Sequence, residues 1–182
     1  MKKYFLAIAS LGMILATSCG NDSKKNTNEP EVVEVATAEK VTHTSATTTV
    51  TFKDPKVGVV YQSYIDLKTA LVNTDAPKTA TEASNLMTAF ANVGVEEDVL
   101  TAAQTIAEAT DVEVQRKAFV LVTDAVEKML DGAIDSGVIY KQYCPMAFDF
   151  EGAFWLSNSK QISNPYFGDK MLRCGKVDSE IK

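Results

Sequence analysis

The chain has 182 residues, 24 of them acidic and 18 basic, for a formal net charge of −6. That length allows one domain plus accessory segments, and the acidic balance argues against nucleic-acid binding, which relies on neutralising phosphates. One histidine, His43, and three cysteines, Cys19, Cys144 and Cys174, leave little material for the usual nucleophile–base systems.

Lys2 and Lys3 precede an uncharged, mostly apolar run from Tyr4 to Ala16 (YFLAIASLGMILA), and Thr17-Ser18 put small residues directly before Cys19. That order predicts a secretory signal peptide over residues 1–18. The run falls short of the roughly 20 residues a spanning helix needs. With a cysteine at the cut site and Leu15-Ala16 upstream, the segment resembles a bacterial lipoprotein signal. The resemblance implies that Cys19 is lipidated through its thiol and becomes the first residue of the mature chain. Each buried CH2 contributes roughly 0.8 kcal/mol, so several acyl chains would anchor the chain stably. Ordinary secretion with Cys19 as a third thiol is the alternative. Either route delivers Cys144 and Cys174 to an oxidising, extracytoplasmic compartment where disulfides persist. The expected location is the cell envelope, lipid-anchored and facing the periplasm or the surface.

Residues 19–51 are rich in Thr, Ser, Asn, Lys and Glu, with no aromatic residue. Such a stretch buries too little apolar surface to offset its ordering entropy, so it reads as a disordered tether. His43 lies within it.

The folded domain is expected over residues 52–182. Asp54-Pro55 is a helix start, an N-cap acid followed by proline at the first helical position. Val60, Tyr64, Leu67 and Leu71 then fall on one helical face. Asp75-Ala76-Pro77 opens a second helix with a stripe of Ala80, Ala83, Met87 and Phe90, closed by Gly94. A third begins near Glu96 and carries Val99, Ala103, Ile106 and Ala109. Thr110-Asp111-Val112-Glu113 reads as a capping box ahead of a fourth helix. Its stripe is Val114, Ala118, Leu121 or Val122, Ala125, Met129 and Ala133. Four amphipathic helices on short connections predict an antiparallel bundle. After Gly137 the pattern turns β-branched and aromatic, with "VIYKQYC", "GAFWLS" and "LRCGKV" strand-like and turn chemistry at Asp149–Gly152 and Asn164–Gly168. The fold class is therefore mainly α, a four-helix bundle with a turn-rich C-terminal cap (137–178) containing short strands. Tyr61 and Tyr64 read as half-buried positions with the hydroxyl at the surface, and Arg116 as a solvated or structurally paired charge.

The segments "VYQSYIDLKTALVNTDA", "QRKAFVLVTDAV" and above all "YCPMAFDFEGAFWLSNSKQISNPYFGDKMLRCG" resemble a bacterial family of unknown function over roughly residues 55–178. Its domain occurs alone in exported proteins and fused to the periplasmic adaptor subunits of heavy-metal efflux pumps. The resemblance implies a helical envelope domain linked to copper or related soft metals, and the expected partner is an efflux adaptor or another envelope protein. "DFEGA" departs from the pattern by placing an aromatic residue, Phe150, in a turn expected to be polar.

Chemistry concentrates in the cap. Without an imidazole the domain lacks the His-rich zinc and Cu(II) sites, and no Cys-x-x-Cys pair is present; no enzymatic activity is expected. Cys144, Met146, Met171 and Cys174 offer thiolate and thioether sulfurs, which select Cu(I) over harder ions. Trp155 lies centrally between them, where its ring face would cover a cation, and Asp149, Glu151 and Asp169 would form an acidic approach. The other reading is a Cys144–Cys174 disulfide, which closes a loop of about 30 residues and contributes on the order of 3.5 kcal/mol. In that case Met146 and Met171 fill the core and the cap serves as an interaction module.

Overall fold

The structure is a computed structural model that describes residues 41–45 and 49–182. The signal segment, Cys19 and the tether as far as residue 40 lie outside the described residues. Helix α1 (Pro55–Val72) starts where Asp54 accepts a hydrogen bond from the Lys56 amide at 2.9 Å, with proline in the first turn. Helix α2 (Ala76–Val93) repeats the device, the Asp75 carboxylate accepting from the Lys78 amide at 2.9 Å, and ends at Gly94. Helix α3 (Glu97–Glu108) and helix α4 (Val112–Met129) follow. Successive helices pack on one another and α1 closes against α4, which makes the expected bundle. Among the described residues no helix is long and apolar enough to cross a membrane.

The buried faces of α1 and α3 follow the expected stripes, with Val60, Tyr64, Leu67 and Leu71 in the core beside Val99, Ala103 and Ile106, while Ala109 is the half-buried C-cap of α3. Helix α2 buries Leu86 rather than Met87. Helix α4 departs further. Val114 is 44% exposed and Leu121 38% exposed, while the face turned inward is Gln115, Arg116, Phe119, Val122, Thr123 and Val126. The capping box is also corrected. Asp111 is the N-cap, accepting from the Glu113 amide at 2.8 Å, and the Glu113 carboxylate pairs with Arg116 instead. Two polar residues open the buried face because backbone carbonyls need them. Gln115 donates to the Ala76, Ile106 and Ala109 carbonyls at 3.0, 3.1 and 2.9 Å, which satisfies the exposed end of α3.

Strand β1 (Thr51–Phe52) pairs antiparallel with β2 (Ile134–Ser136). The cap is a three-stranded antiparallel sheet of β3 (Ile139–Cys144), β4 (Ala153–Ser157) and β5 (Lys176–Ile181), ordered β4-β3-β5. The last strand starts later than "LRCGKV" implies and runs on past the expected cap limit at residue 178. Two tyrosines satisfy backbone groups of β4: the Tyr64 hydroxyl accepts from the Leu156 amide at 3.0 Å, and the Tyr166 hydroxyl donates to the Phe154 carbonyl. Tyr61 and Tyr64 are therefore fully buried, not surface-tipped; Tyr61 donates to Asn158 at 2.7 Å and Tyr64 shares a 3.0 Å bond with Thr123. A chain of ring contacts runs Phe52–Tyr61–Tyr64–Phe119–Tyr166–Trp155, centroids 5.1 to 6.3 Å apart, and joins the bundle to the cap.

Gly168 shows how closely cap and bundle approach. Its φ is +56°, and a Cβ there would fall on Thr74 Oγ1 and within 2.9 Å of the Val72 carbonyl. Gly168→Ala is expected to cost about 2–4 kcal/mol, part from the left-handed backbone and part from overpacking. Equilibrium urea unfolding measures this; a loss below about 1 kcal/mol would mean that the loop relaxes freely.

Candidate functional site: the sulfur pair and its cleft

Strand pairing brings the cysteines together. Strand β3 runs antiparallel to β5 with Tyr143 opposite Lys176, so Cys144, the last residue of β3, meets the segment that leads into β5. Cys144 Sγ and Cys174 Sγ lie 3.4 Å apart, both as thiols, the first fully buried and the second half-buried. Hydrogen bonds hold Cys174 from two sides. Its amide donates to the Met171 carbonyl at 2.9 Å and its carbonyl accepts from Asn164 Nδ2 at 2.8 Å. Asn164 also accepts from the Tyr166 amide at 2.8 Å, which forms the turn expected at Asn164-Pro165. Burial first, and then the hydrogen bond and charge of Cys144, raise the Cys174 thiol above its ordinary pKa. Cys174 is therefore held protonated at neutral pH, and a metal must displace that proton.

Met146 and Met171 do not stand in the same contact as the thiols. They line one open cleft with Phe148, Phe150 and Phe167, on the side where α4 presents Lys117 and Val120. The thiols meet directly, while the two thioethers share only this cleft, each methionine within three residues of its cysteine. Met146 is 36% exposed. Asp149 and Glu151 lie on the cleft wall, as an acidic approach requires, but Asp169 does not. It faces His43 Nε2 at 3.8 Å on another part of the surface. Trp155 is fully buried, with its ring against the backbone of Gly175, the residue after Cys174. A side chain at Gly175 (φ +141°) would strike that ring. Trp155 is thus a wall beside the thiols, not a ring open to solvent.

The cleft floor carries a conformation that no residue pattern announced. Phe148, Asp149 and Phe150 all have positive φ, at 52, 56 and 74°, and none is glycine. Each left-handed residue of this kind costs about 1–2 kcal/mol, and such strain clusters where function requires it. The turn holds Phe150 out at 75% exposure. This is the aromatic residue that departs from the polar turn expected of "DFEGA".

Among the described residues no group of three or more His, Cys, Asp or Glu side chains could hold a metal ion. Any ion here would rest on sulfur: two thiolates, supplemented by thioethers. His43, placed in the tether by composition, is pinned to α1, with its amide donating to Asn73 Oδ1 and its carbonyl accepting from Asn73 Nδ2, both at 2.8 Å.

A family described as "Protein of unknown function (DUF3347)" matches residues 60–136. The matched stretch spans the bundle as far as β2 and stops short of Cys144 and the sulfur-bearing cap. No curated protein and no solved structure matches the chain.

Proposed function

We propose that this chain is a non-enzymatic, lipid-anchored cell-envelope protein that holds a soft metal ion, copper(I), for handling beside a heavy-metal efflux assembly. The observation that carries the reading is the 3.4 Å separation of Cys144 Sγ and Cys174 Sγ. With metal–sulfur bonds of about 2.3 Å, two sulfurs on one ion sit about 3.8 Å apart at the tetrahedral angle. The pair needs only a small opening to accept an ion. Met146 and Met171 supply thioether donors from the same two chain ends, and sulfur selects Cu(I). The resemblance to domains fused to efflux adaptors, and the lipoprotein-type leader ending at Cys19, support the envelope setting and an adaptor as partner.

Competitive Cu(I) titration of the reduced full chain against a chelator of moderate affinity tests this. One equivalent per chain is expected to be retained. Replacing both Met146 and Met171 with leucine preserves volume and costs little stability, and is expected to weaken retention by about 10- to 100-fold, as losses around a metal commonly do. A wild-type chain that yields all its copper, or a leucine variant that binds as tightly as wild type, rejects the reading.

The same separation supports a second reading, a disulfide-closed interaction module that binds no metal. Closing 3.4 Å to a bond of about 2.05 Å requires a shift of about 1.4 Å. Mass spectrometry of the unreduced chain from the envelope distinguishes the two: a fully oxidised 144–174 bond favours the module.

A further inference from the structure

A second cavity, of about 380 Å³, shares no lining residue with the sulfur cleft. It is assembled from three separate parts of the chain: residues 42–44, helix α1 and the loop after β4. In a chain with 24 acidic residues, this wall contains no aspartate or glutamate. It does contain Lys68, which is only 8% exposed. No hydrogen-bond or ion-pair partner for Lys68 is found among the described residues, and burial alone lowers its ammonium pKa to about 8. A buried cation without a counter-charge is costly unless something pairs with it.

The rest of the wall is built to donate. Ser157 Oγ accepts from the Ser159 amide at 3.2 Å, and Ser159 Oγ accepts from the Gln161 amide at 3.1 Å. Each hydroxyl has one of its two lone pairs engaged by a backbone amide and keeps its O–H to give. The loop is held in place from below, where Gln142 Nε2 donates to the Ser159 carbonyl at 2.7 Å, and by Tyr61, which donates to Asn158 at 2.7 Å. Ser163 and Thr44 add further hydroxyls. An ammonium with three donors, ringed by hydroxyls and free of carboxylates, matches the acceptor-only surface of an oxyanion.

We infer that this cavity is a binding site for a tetrahedral oxyanion, a phosphate or sulfate group, with Lys68 as its counter-charge and Ser157 and Ser159 as hydroxyl donors.

The test uses the full chain, melted in phosphate, sulfate, acetate or chloride at matched ionic strength, pH 7. Phosphate and sulfate are expected to raise Tm saturably; acetate and chloride are not. Lys68→Met, freed of its buried charge, is expected to melt higher than wild type without added anion and to lose the phosphate shift. Ser159→Ala, at an exposed loop position, is expected to keep the wild-type circular dichroism and to weaken phosphate by about tenfold, the effect of one lost charge-assisted donor. Sulfate, which does not titrate in this range, is expected to bind more weakly as pH rises through about 8. The other titratable group of the wall is His43, faced by Asp169, and Asp66, Asp75, Lys78 and Glu82 line an adjoining cleft. No shift with phosphate or sulfate, an equal shift with acetate, or an undiminished shift in both Lys68→Met and Ser159→Ala overturns the inference.

Discussion

Arg116→Met is expected to lower the unfolding free energy by about 1–3 kcal/mol, the cost of leaving a buried carbonyl without its donor. Arg116 is 1% exposed, and its guanidinium joins three parts of the chain. Nε donates to the Pro165 carbonyl at 2.8 Å, in the cap. Nη2 donates to Leu71 O at 3.3 Å and Thr74 Oγ1 at 3.1 Å, at the end of α1. Nη1 pairs with Glu113 at 2.6 Å, but that carboxylate is largely in water and adds little. Methionine fills the space yet leaves the buried Pro165 carbonyl without its donor, at about 1–3 kcal/mol, while Leu71 O keeps the Thr74 amide at 3.0 Å. Lysine is not expected to rescue the loss, since its point charge cannot reproduce the planar fork. Urea unfolding followed by circular dichroism and by Trp155 fluorescence measures the change in helix and cap together. A loss under about 1 kcal/mol, or a cap signal that melts while the helices stand, would show that Arg116 does not couple them.

Cys144→Ser and Cys174→Ser are each expected to reduce Cu(I) affinity by more than about 100-fold, beyond what loss of a residue outside the ligand shell costs. A hydroxyl is a hard donor, and among the described residues no third thiol is present to replace the sulfur. The pH dependence follows from the raised Cys174 thiol. Protons and metal compete for the same sulfur, so affinity should rise with pH, by about tenfold per unit for each proton displaced, until the thiol's own pKa is passed. Chelator competition at a series of pH values reads both effects. Affinity that is flat with pH, or a serine variant that keeps its copper, would remove the thiol pair from the site.

Parts of this architecture are legible along the chain and parts are not. Asp54-Pro55, Asp75-Ala76-Pro77 and Gly94 are local devices, and each works where the residue order puts it. The buried face of α4 is different, because Gln115 and Arg116 answer carbonyls on α1, α3 and the loop at Pro165 that only the folded chain gathers. Apolar periodicity therefore points to Val114 and to Leu121 or Val122, of which Val122 alone is in the core, and it misses Gln115 and Arg116. The two cysteines are conspicuous in sequence, but their meeting depends on the β3–β5 register and its bulge between Lys141 and Gln142. Nothing in "AFDF" signals three left-handed residues, since glycine, the usual marker, is absent there. The oxyanion cavity is unreadable for a related reason: its wall joins residues some ninety to a hundred and twenty positions apart, including a histidine that composition assigns to the tether.

The sheet ends at β5, which pairs only with β3. A bare outer edge is a template for a second copy of the same chain, and crowding on a surface multiplies such encounters. Here the edge carries Lys176, Asp178 and Glu180, all in water, and Glu180 is clasped between Lys160 at 3.2 Å and Lys182 at 2.9 Å. Charges of both signs sit where a neighbour's strand would have to lie, so this edge resists pairing with a second copy.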